Sequence, residues 1–295
     1  MERRNFMDAE NYTAAFYKDY RWAETYGKEQ DGYVLLAAVQ LYETTQKAEY
    51  LSVIRNYFDA FLSENGEIAG GLETDCSGSR INVSRCLFFL YDETGEEKYR
   101  KAVGTVMDRL RTWPRCECGN FVCGTEKTAS VDALYMLLPF YTAYETVYDK
   151  KEKYNDIIGQ FENIRKLLYD TDKECGGVQE LPLMDRVKYL TALVDTIDCM
   201  SIEIYEQYRK LQDMFRQALQ DVLQYRKEEN GVCENALIAY CILKACGMGI
   251  ILKEKYVGTG MEIVEKLAEA ELPEKTGVFV SACGQYLRMK KELEA

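Results

Sequence analysis

No histidine occurs anywhere in the 295 residues. General acid–base chemistry therefore falls to carboxylates, tyrosines, cysteines or lysines, and a zinc site built on imidazole ligands is excluded. The side chain best suited to proton switching near neutral pH is absent with it. Proline is scarce, at four residues, which favours long uninterrupted helices because proline breaks them. No apolar run approaches the roughly 20 residues needed to span a bilayer. The opening Met1-Glu2-Arg3-Arg4-Asn5 has no apolar core behind its basic residues, so it does not read as a signal peptide. Positive charge is in deficit, with 37 Lys and Arg against 49 Asp and Glu for a net charge of −12. That balance argues against a nucleic-acid surface, and an anionic small ligand would need a few arginines to reverse the field locally. The expectation is a soluble cytoplasmic protein with neither nucleic acid nor membrane as partner. Eleven cysteines is an odd number, and Cys86, Cys199, Cys241 and Cys246 fall within helical patterns. Buried, reduced thiols are the economical reading.

What the chain does have is a repeat. A short charged segment ends in a tyrosine that opens an amphipathic helix at Tyr50, Tyr99, Tyr154, Tyr208 and Tyr256, at intervals of 48 to 55 residues. Such a period marks repeated supersecondary units, none able to bury its apolar face alone. Between these helices lie segments that are apolar nearly all round: Gly32–Thr44, Ile81–Tyr91, Val131–Tyr148, Tyr189–Ile197 and Ala236–Ala245. They belong inside, with the tyrosine-led helices outside, as the one-sided pattern Leu51, Val53, Ile54, Tyr57, Phe58, Phe61 shows. Adding helices near Asp8–Tyr26 and Val280–Glu292 gives about twelve in six pairs. The predicted fold class is all-α, an (α/α)6 six-hairpin toroid (barrel), with residues 1–295 forming one domain. A run such as Asn120-Phe121-Val122-Cys123 would make at most a strand stub.

Short turns join inner helices to outer ones, for example Asp92–Glu96. Longer loops return through residues 65–80, 114–130, 170–184 and 227–234. In a toroid these long loops emerge at one end, around the N-termini of the inner helices, where free backbone N–H groups suit a polar or anionic ligand. Asp132 stands at the start of a very apolar helix, a position that suits either a first-turn carboxylate or an acid/base group. Arg80, Arg85 and Arg186 fall near inner-helix starts, where they either grip a substrate carboxylate or pair within the protein. Tyr33, Tyr135 and Tyr189 are either sugar-stacking faces or core. Cysteines concentrate in the long loops, at Cys76, Cys116, Cys118, Cys123, Cys175 and Cys233. Cys116-x-Cys118 with Cys123 is irregular for zinc, and separate reduced thiols account for the pattern as well.

Two stretches carry a resemblance. Ser79-Arg80-Ile81-Asn82-Val83-Ser84-Arg85, running on to Leu87-Phe88-Phe89-Leu90-Tyr91-Asp92-Glu93-Thr94-Gly95, resembles the D-x-I-N-x-G-R…LLxLYExTG stretch of unsaturated glycuronyl hydrolases. Val131-Asp132-Ala133-Leu134-Tyr135-Met136-Leu137-Leu138-Pro139-Phe140 is similar to their W-x-D-G-L-Y-M-x-x-P-F signature. These are glycoside hydrolase families 88 and 105, whose rhamnogalacturonyl members share a six-hairpin α/α barrel. With Ala192-Leu193-Val194-Asp195 and the Glu234 helix, the likeness covers most of residues 31–270.

The resemblance implies an enzyme acting on the 4,5-unsaturated uronic acid that a lyase leaves at the end of an oligosaccharide. An aspartate protonates the vinyl ether and helps activate water, and the hydrated product rearranges to release the next sugar. By position Asp132 matches that aspartate. Taken with the arginine and tyrosine readings above, the expected substrate-binding positions are Tyr33, Ser79, Arg80, Asn82, Arg85, Tyr135 and Arg186, with no metal and no cofactor expected. The chain also departs from the pattern: Ser79 replaces a second aspartate, Ser130 a tryptophan, and Met184-Asp185-Arg186-Val187-Lys188 an R-x-N-G-W segment. These departures keep a second reading open, a catalytically inactive relative that binds a glycan or a protein partner. A thiol- or metal-dependent function at the loop end is a third.

Overall fold

A computed structural model describes residues 9–72, 76–124, 128–169, 182–227, 230–269 and 277–294. Among them run thirteen helices: α1 (Ala9–Asp19), α2 (Glu29–Thr45), α3 (Ala48–Phe61), α4 (Ser79–Val83), α5 (Cys86–Thr94), α6 (Glu97–Arg111), α7 (Val131–Val147), α8 (Tyr154–Tyr169), α9 (Leu183–Cys199), α10 (Tyr205–Tyr225), α11 (Val232–Gly247), α12 (Lys253–Glu269) and α13 (Gly277–Glu294). The described residues form no strand; Leu62–Ile68 and Arg115–Phe121 are isolated antiparallel bridges. The stub expected at Asn120–Cys123 is thus a single pairing through Phe121. The contacts divide the chain into two compact units, Met1–Phe61 with Glu228–Ala295, and Leu62–Lys227.

The Leu62–Lys227 unit holds three hairpins: α5 with α6, α7 with α8, and α9 with α10. The inner helices α7 and α9 pack on each other, and α4 packs on α7. Every residue of α7 from Ala133 to Thr142 is buried, as a helix covered on several sides requires. The outer helices bury one stripe. In α10 it is Leu211, Met214, Phe215, Ala218, Leu219 and Val222, at the three- and four-residue spacing of a single face. Each large side chain so covered contributes about 1.5–3 kcal/mol.

The repeated tyrosine has a structural task here. Tyr154, at the start of α8, places its hydroxyl 2.6 Å from Thr146 Oγ1 at the end of α7. It also accepts the Ser201 N–H beyond α9 at 2.8 Å, so one side chain ties two successive hairpins. The turn from α5 to α6 closes on Gly95, left-handed at φ +67°, whose N–H donates to the Tyr91 carbonyl at 2.8 Å.

One inner helix is not continuous. The run expected at Ile81–Tyr91 is split into α4 and α5 around Ser84 and Arg85. Ser84 Oγ donates to the Arg80 carbonyl at 2.7 Å, the kind of local bond that competes with the helical ladder. Gly78, just before α4, is left-handed at φ +82°, and a Cβ there would lie 2.8 Å from Leu137 Cδ2 and 2.9 Å from Met136 Cβ. Only glycine lets this loop lie flat on α7.

The second unit pairs α2 with α3, α11 with α12 and α13 with α1. Its inner helix α13 packs on both α2 and α11. The first helix stops at Asp19, short of the expected Tyr26, and the loop after it sets Trp22 and Tyr26 against Tyr57 of α3. Asp31, in the first turn of α2, is buried there; it accepts hydrogen bonds from Tyr20 Oη at 2.7 Å and Tyr57 Oη at 3.4 Å. Burial pushes its carboxyl above the usual aspartate range, against those hydrogen bonds. No helix among the described residues is long and apolar enough to cross a membrane.

Candidate active site

The site grows from the first turns of α7 and α9. Ser130 caps α7, its Oγ accepting the Ala133 N–H at 3.3 Å; serine at this position thus ends the loop where the helix must begin. Two residues on, Asp132 presents a carboxylate whose side chain is 53% exposed. Lys188 of α9 reaches across and donates from Nζ to Asp132 Oδ1 at 2.6 Å. One turn earlier on α9, the half-buried Asp185 stands within electrostatic range of both. Burial pushes the Asp185 carboxyl up, Lys188 draws it down, and the Asp132 charge pushes it up again. Two carboxyl groups and one ammonium therefore share the adjoining N-terminal ends of two inner helices, where the helix dipoles favour negative charge. Two carboxyl groups beside one ammonium give the place groups that can both donate and accept protons.

The three arginines are turned to protein partners. Arg85 Nη1 donates to Asp195 Oδ2 at 2.9 Å and to Asn82 Oδ1 at 3.3 Å, joining the α4–α5 break to the middle of α9. The pair is almost dry, with side chains 7% and 2% exposed. Arg80 Nη1 donates to the carbonyls of Gly70 and Gly71 and so anchors the loop ahead of α4. Arg186 pairs with Asp221 and lies over the Tyr225 ring at 4.3 Å, locking α9 to α10. Of the two readings open for these arginines, each structure-bound pairing corresponds to the second.

Ser79 receives a hydrogen bond from Ser77 Oγ at 2.9 Å and opens α4. Tyr135 is 1% exposed and packs in the core of its unit, so its ring has no open face for a sugar. Tyr189 is also buried, its hydroxyl donating to the Phe161 carbonyl at 3.3 Å. Tyr33 is buried in α2, in the other unit. The structure thus gathers Asp132 with Lys188 and Asp185, and Asn82 with Arg85 and Asp195. Lys188 and Asp185 are functional candidates that sequence reading passed over, seeing their segment only as a replaced motif. A charge pair three residues apart, within the first two turns of an inner helix, was the available signal.

A cavity of about 420 Å³ beside α6, lined by Ile68, Gly71, Leu72, Thr105, Asp108, Arg109 and Thr112, contains none of these residues. Among the described residues no group of three or more Cys, Asp or Glu side chains is placed to hold a metal ion. Cys175 lies outside the described residues.

Residues 5–175 match the family model described as Glycosyl Hydrolase Family 88. Among solved structures, a glycoside hydrolase from family 105 of C. acetobutylicum ATCC 824 is similar at a TM-score of 0.77 and 20% identity, over 97% of this chain and 99% of that one. A polysaccharide lyase is similar at a TM-score of 0.73 and 12% identity, over 97% of each chain. A family 88 glycosyl hydrolase from Bacteroides vulgatus follows at 0.70 and 12%, over 96% of this chain and 97% of that one. At these identities the structural likeness speaks for the fold, which is the six-hairpin α/α toroid.

Proposed function

The chain belongs to Glycosyl Hydrolase Family 88, and on that premise we propose that it removes a 4,5-unsaturated uronic acid from the end of a lyase-produced oligosaccharide by hydrating the double bond. The observation that carries this reading is the contact at 2.6 Å between Lys188 and Asp132, with a second carboxyl, Asp185, beside them. Asp132 is the motif aspartate and keeps the water-activating half of its expected part. Asp185 takes the part of the second carboxyl that Ser79 does not supply.

The proton traffic follows from their surroundings. Asp185, whose carboxyl burial pushes above the ordinary aspartate range, donates to C4 of the enol ether. Asp132, held by Lys188, takes a proton from the water that adds to C5. Relay of that proton back to Asp185 restores both groups, and the net change is addition of one water. The hemiketal so formed opens and releases the next sugar. The ammonium of Lys188 and the two helix N-termini supply positive potential for the uronate carboxylate, a task for which Arg80, Arg85 and Arg186 are already engaged elsewhere.

The test is loss of the ultraviolet absorbance of unsaturated oligouronides prepared from several polysaccharides. Asp132→Asn and Asp185→Asn are each expected to lower kcat by about 10²–10⁴-fold with the circular dichroism spectrum unchanged. Lys188→Met should move the pH–rate limb set by Asp185 upward, because the lysine's charge holds that carboxyl down. Full activity in both aspartate variants would remove the mechanism.

A second reading, a non-catalytic relative that binds a glycan or protein partner, has the exposure of Asp132 and the Ser77–Ser79 hydrogen bond in its favour. Saturable binding of the same oligosaccharides with no loss of absorbance would select it.

A further inference from the structure

The loop between α6 and α7 carries a feature that the hydrolase reading does not use. Cys116 and Cys118 bring their sulfur atoms to 3.2 Å while both remain thiols. The approach is built by a tight turn: Cys116 N–H donates to the Asn120 carbonyl and Gly119 N–H to the Cys116 carbonyl, each at 2.9 Å, with Gly119 left-handed at φ +89°. Side chains of the neighbouring helix α8 clamp that turn. Asn163 Nδ2 donates to the Cys118 carbonyl at 3.1 Å and to Asn120 Oδ1 at 2.8 Å. Gln160 accepts the Asn120 amide at its carbonyl and the Phe121 N–H at its Oε1, both at 2.9 Å. Arg115 binds Asp156 through both terminal nitrogens, at 2.8 and 2.7 Å, and lies over the Phe121 ring at 3.9 Å.

We propose that Cys116 and Cys118 form a dithiol site that reacts with a small-molecule disulfide of the glutathione type and closes to an intramolecular disulfide. Three observations point this way. The sulfurs need to approach by only about 1 Å to reach the bonded separation of roughly 2.05 Å. The clamped turn holds them together, so the second step is intramolecular and outruns release of the first adduct. Both are reachable from solvent, Cys118 exposed and Cys116 partly so. The chemistry balances. One thiolate attacks a sulfur of the small disulfide and expels one small thiol; the second thiolate attacks the mixed disulfide and expels the other. The protein pair gives up two electrons and two protons, and one small disulfide becomes two thiols.

The experiment holds the full chain in oxidised and reduced glutathione, alkylates the remaining thiols and maps the peptides by mass. The expected result is a peptide in which Cys116 and Cys118 together lose two hydrogens and take no alkyl group. The same measurement on Cys123→Ser excludes a bridge through Cys123, and dithiothreitol should restore both thiols. Cys118→Ser should leave Cys116 carrying one glutathione, the intermediate trapped for want of its partner. Alkylation of both cysteines under oxidising buffer, a stable glutathione adduct in the unaltered chain, or a bridge from either residue to Cys123 would each overturn the proposal. Circular dichroism of each variant separates loss of reactivity from loss of fold.

Discussion

Replacing Asp195 with leucine should damage this protein far more than replacing Asp195 and Arg85 together. The carboxylate and guanidinium meet at 2.9 Å with side chains 2% and 7% exposed. At that separation an effective dielectric near 20 gives about 6 kcal/mol of attraction. Part of that offsets the desolvation of both ions, so the intact pair contributes little net stability. Asp195→Leu removes the attraction and leaves the Arg85 charge buried, with Asn82 Oδ1 at 3.3 Å a neutral substitute. The expected loss is about 3–5 kcal/mol. At roughly 2 °C per kcal/mol for a chain of this size, the melting temperature falls by about 6–10 °C. Arg85→Met should do comparable harm by taking the guanidinium away from the buried Asp195 carboxylate. The double variant Arg85→Met/Asp195→Leu removes both charges and should return to within about 2 kcal/mol of the parent. Differential scanning calorimetry on all four proteins closes the cycle. Additive losses, with the double variant worst, would refute the claim that an uncompensated buried charge is what destabilises the singles.

Three further substitutions test the packing account. The folded protein holds the Asp31 proton more tightly than the unfolded chain, which releases it near 3.8. The resulting contribution is fully present below that pH and is lost as pH rises through the folded value. The stability of the parent relative to Asp31→Asn, from urea unfolding at a series of pH values, should therefore fall from about pH 4 upward and then level off; a rise would reverse the assignment of burial as the dominant cause. Gly78→Ala combines a left-handed φ of +82° with a Cβ 2.8 Å from Leu137 Cδ2, and should cost about 1–3 kcal/mol. Gly104→Ala in α6 meets nothing within 4 Å and should gain about 0.5–1 kcal/mol. Equal effects in a thermal-shift assay would show that the close approach to α7 is not what selects glycine.

Much of the helical plan was legible because helix pairing is written in local periodicity. The stripes of α6 and α10 and the all-round apolar character of α7 are properties of short windows, and the tyrosine at each outer-helix start repeats them. The break between α4 and α5 was not legible. It depends on the Ser84 hydroxyl turning to the Arg80 carbonyl, a choice that apolar spacing does not register. The first helix stopped early for a similar reason, since Trp22 and Tyr26 pack against α3 as loop residues rather than continuing the periodic pattern.

The candidate site was half legible. Asp132 emerged from its motif, as did Asn82 and Arg85 as a group. The destinations of the arginines did not, because Asp195 lies 110 residues from Arg85 and Asp221 lies 35 from Arg186. Asp185 and Lys188 looked like erosion of a motif when read along the chain, and stood beside Asp132 once α9 was packed on α7.

By itself the sequence determined the class of architecture, the alternation of inner and outer helices, and the place of Asp132 at the head of α7, since each follows from residue types within a few turns of one another. Only the tertiary structure decided which charges meet. It sent Arg85 to Asp195, Arg186 to Asp221 and Lys188 to Asp132. Electrostatic partnership depends on distance and burial in space, and neither is encoded in the separation of two residues along a chain.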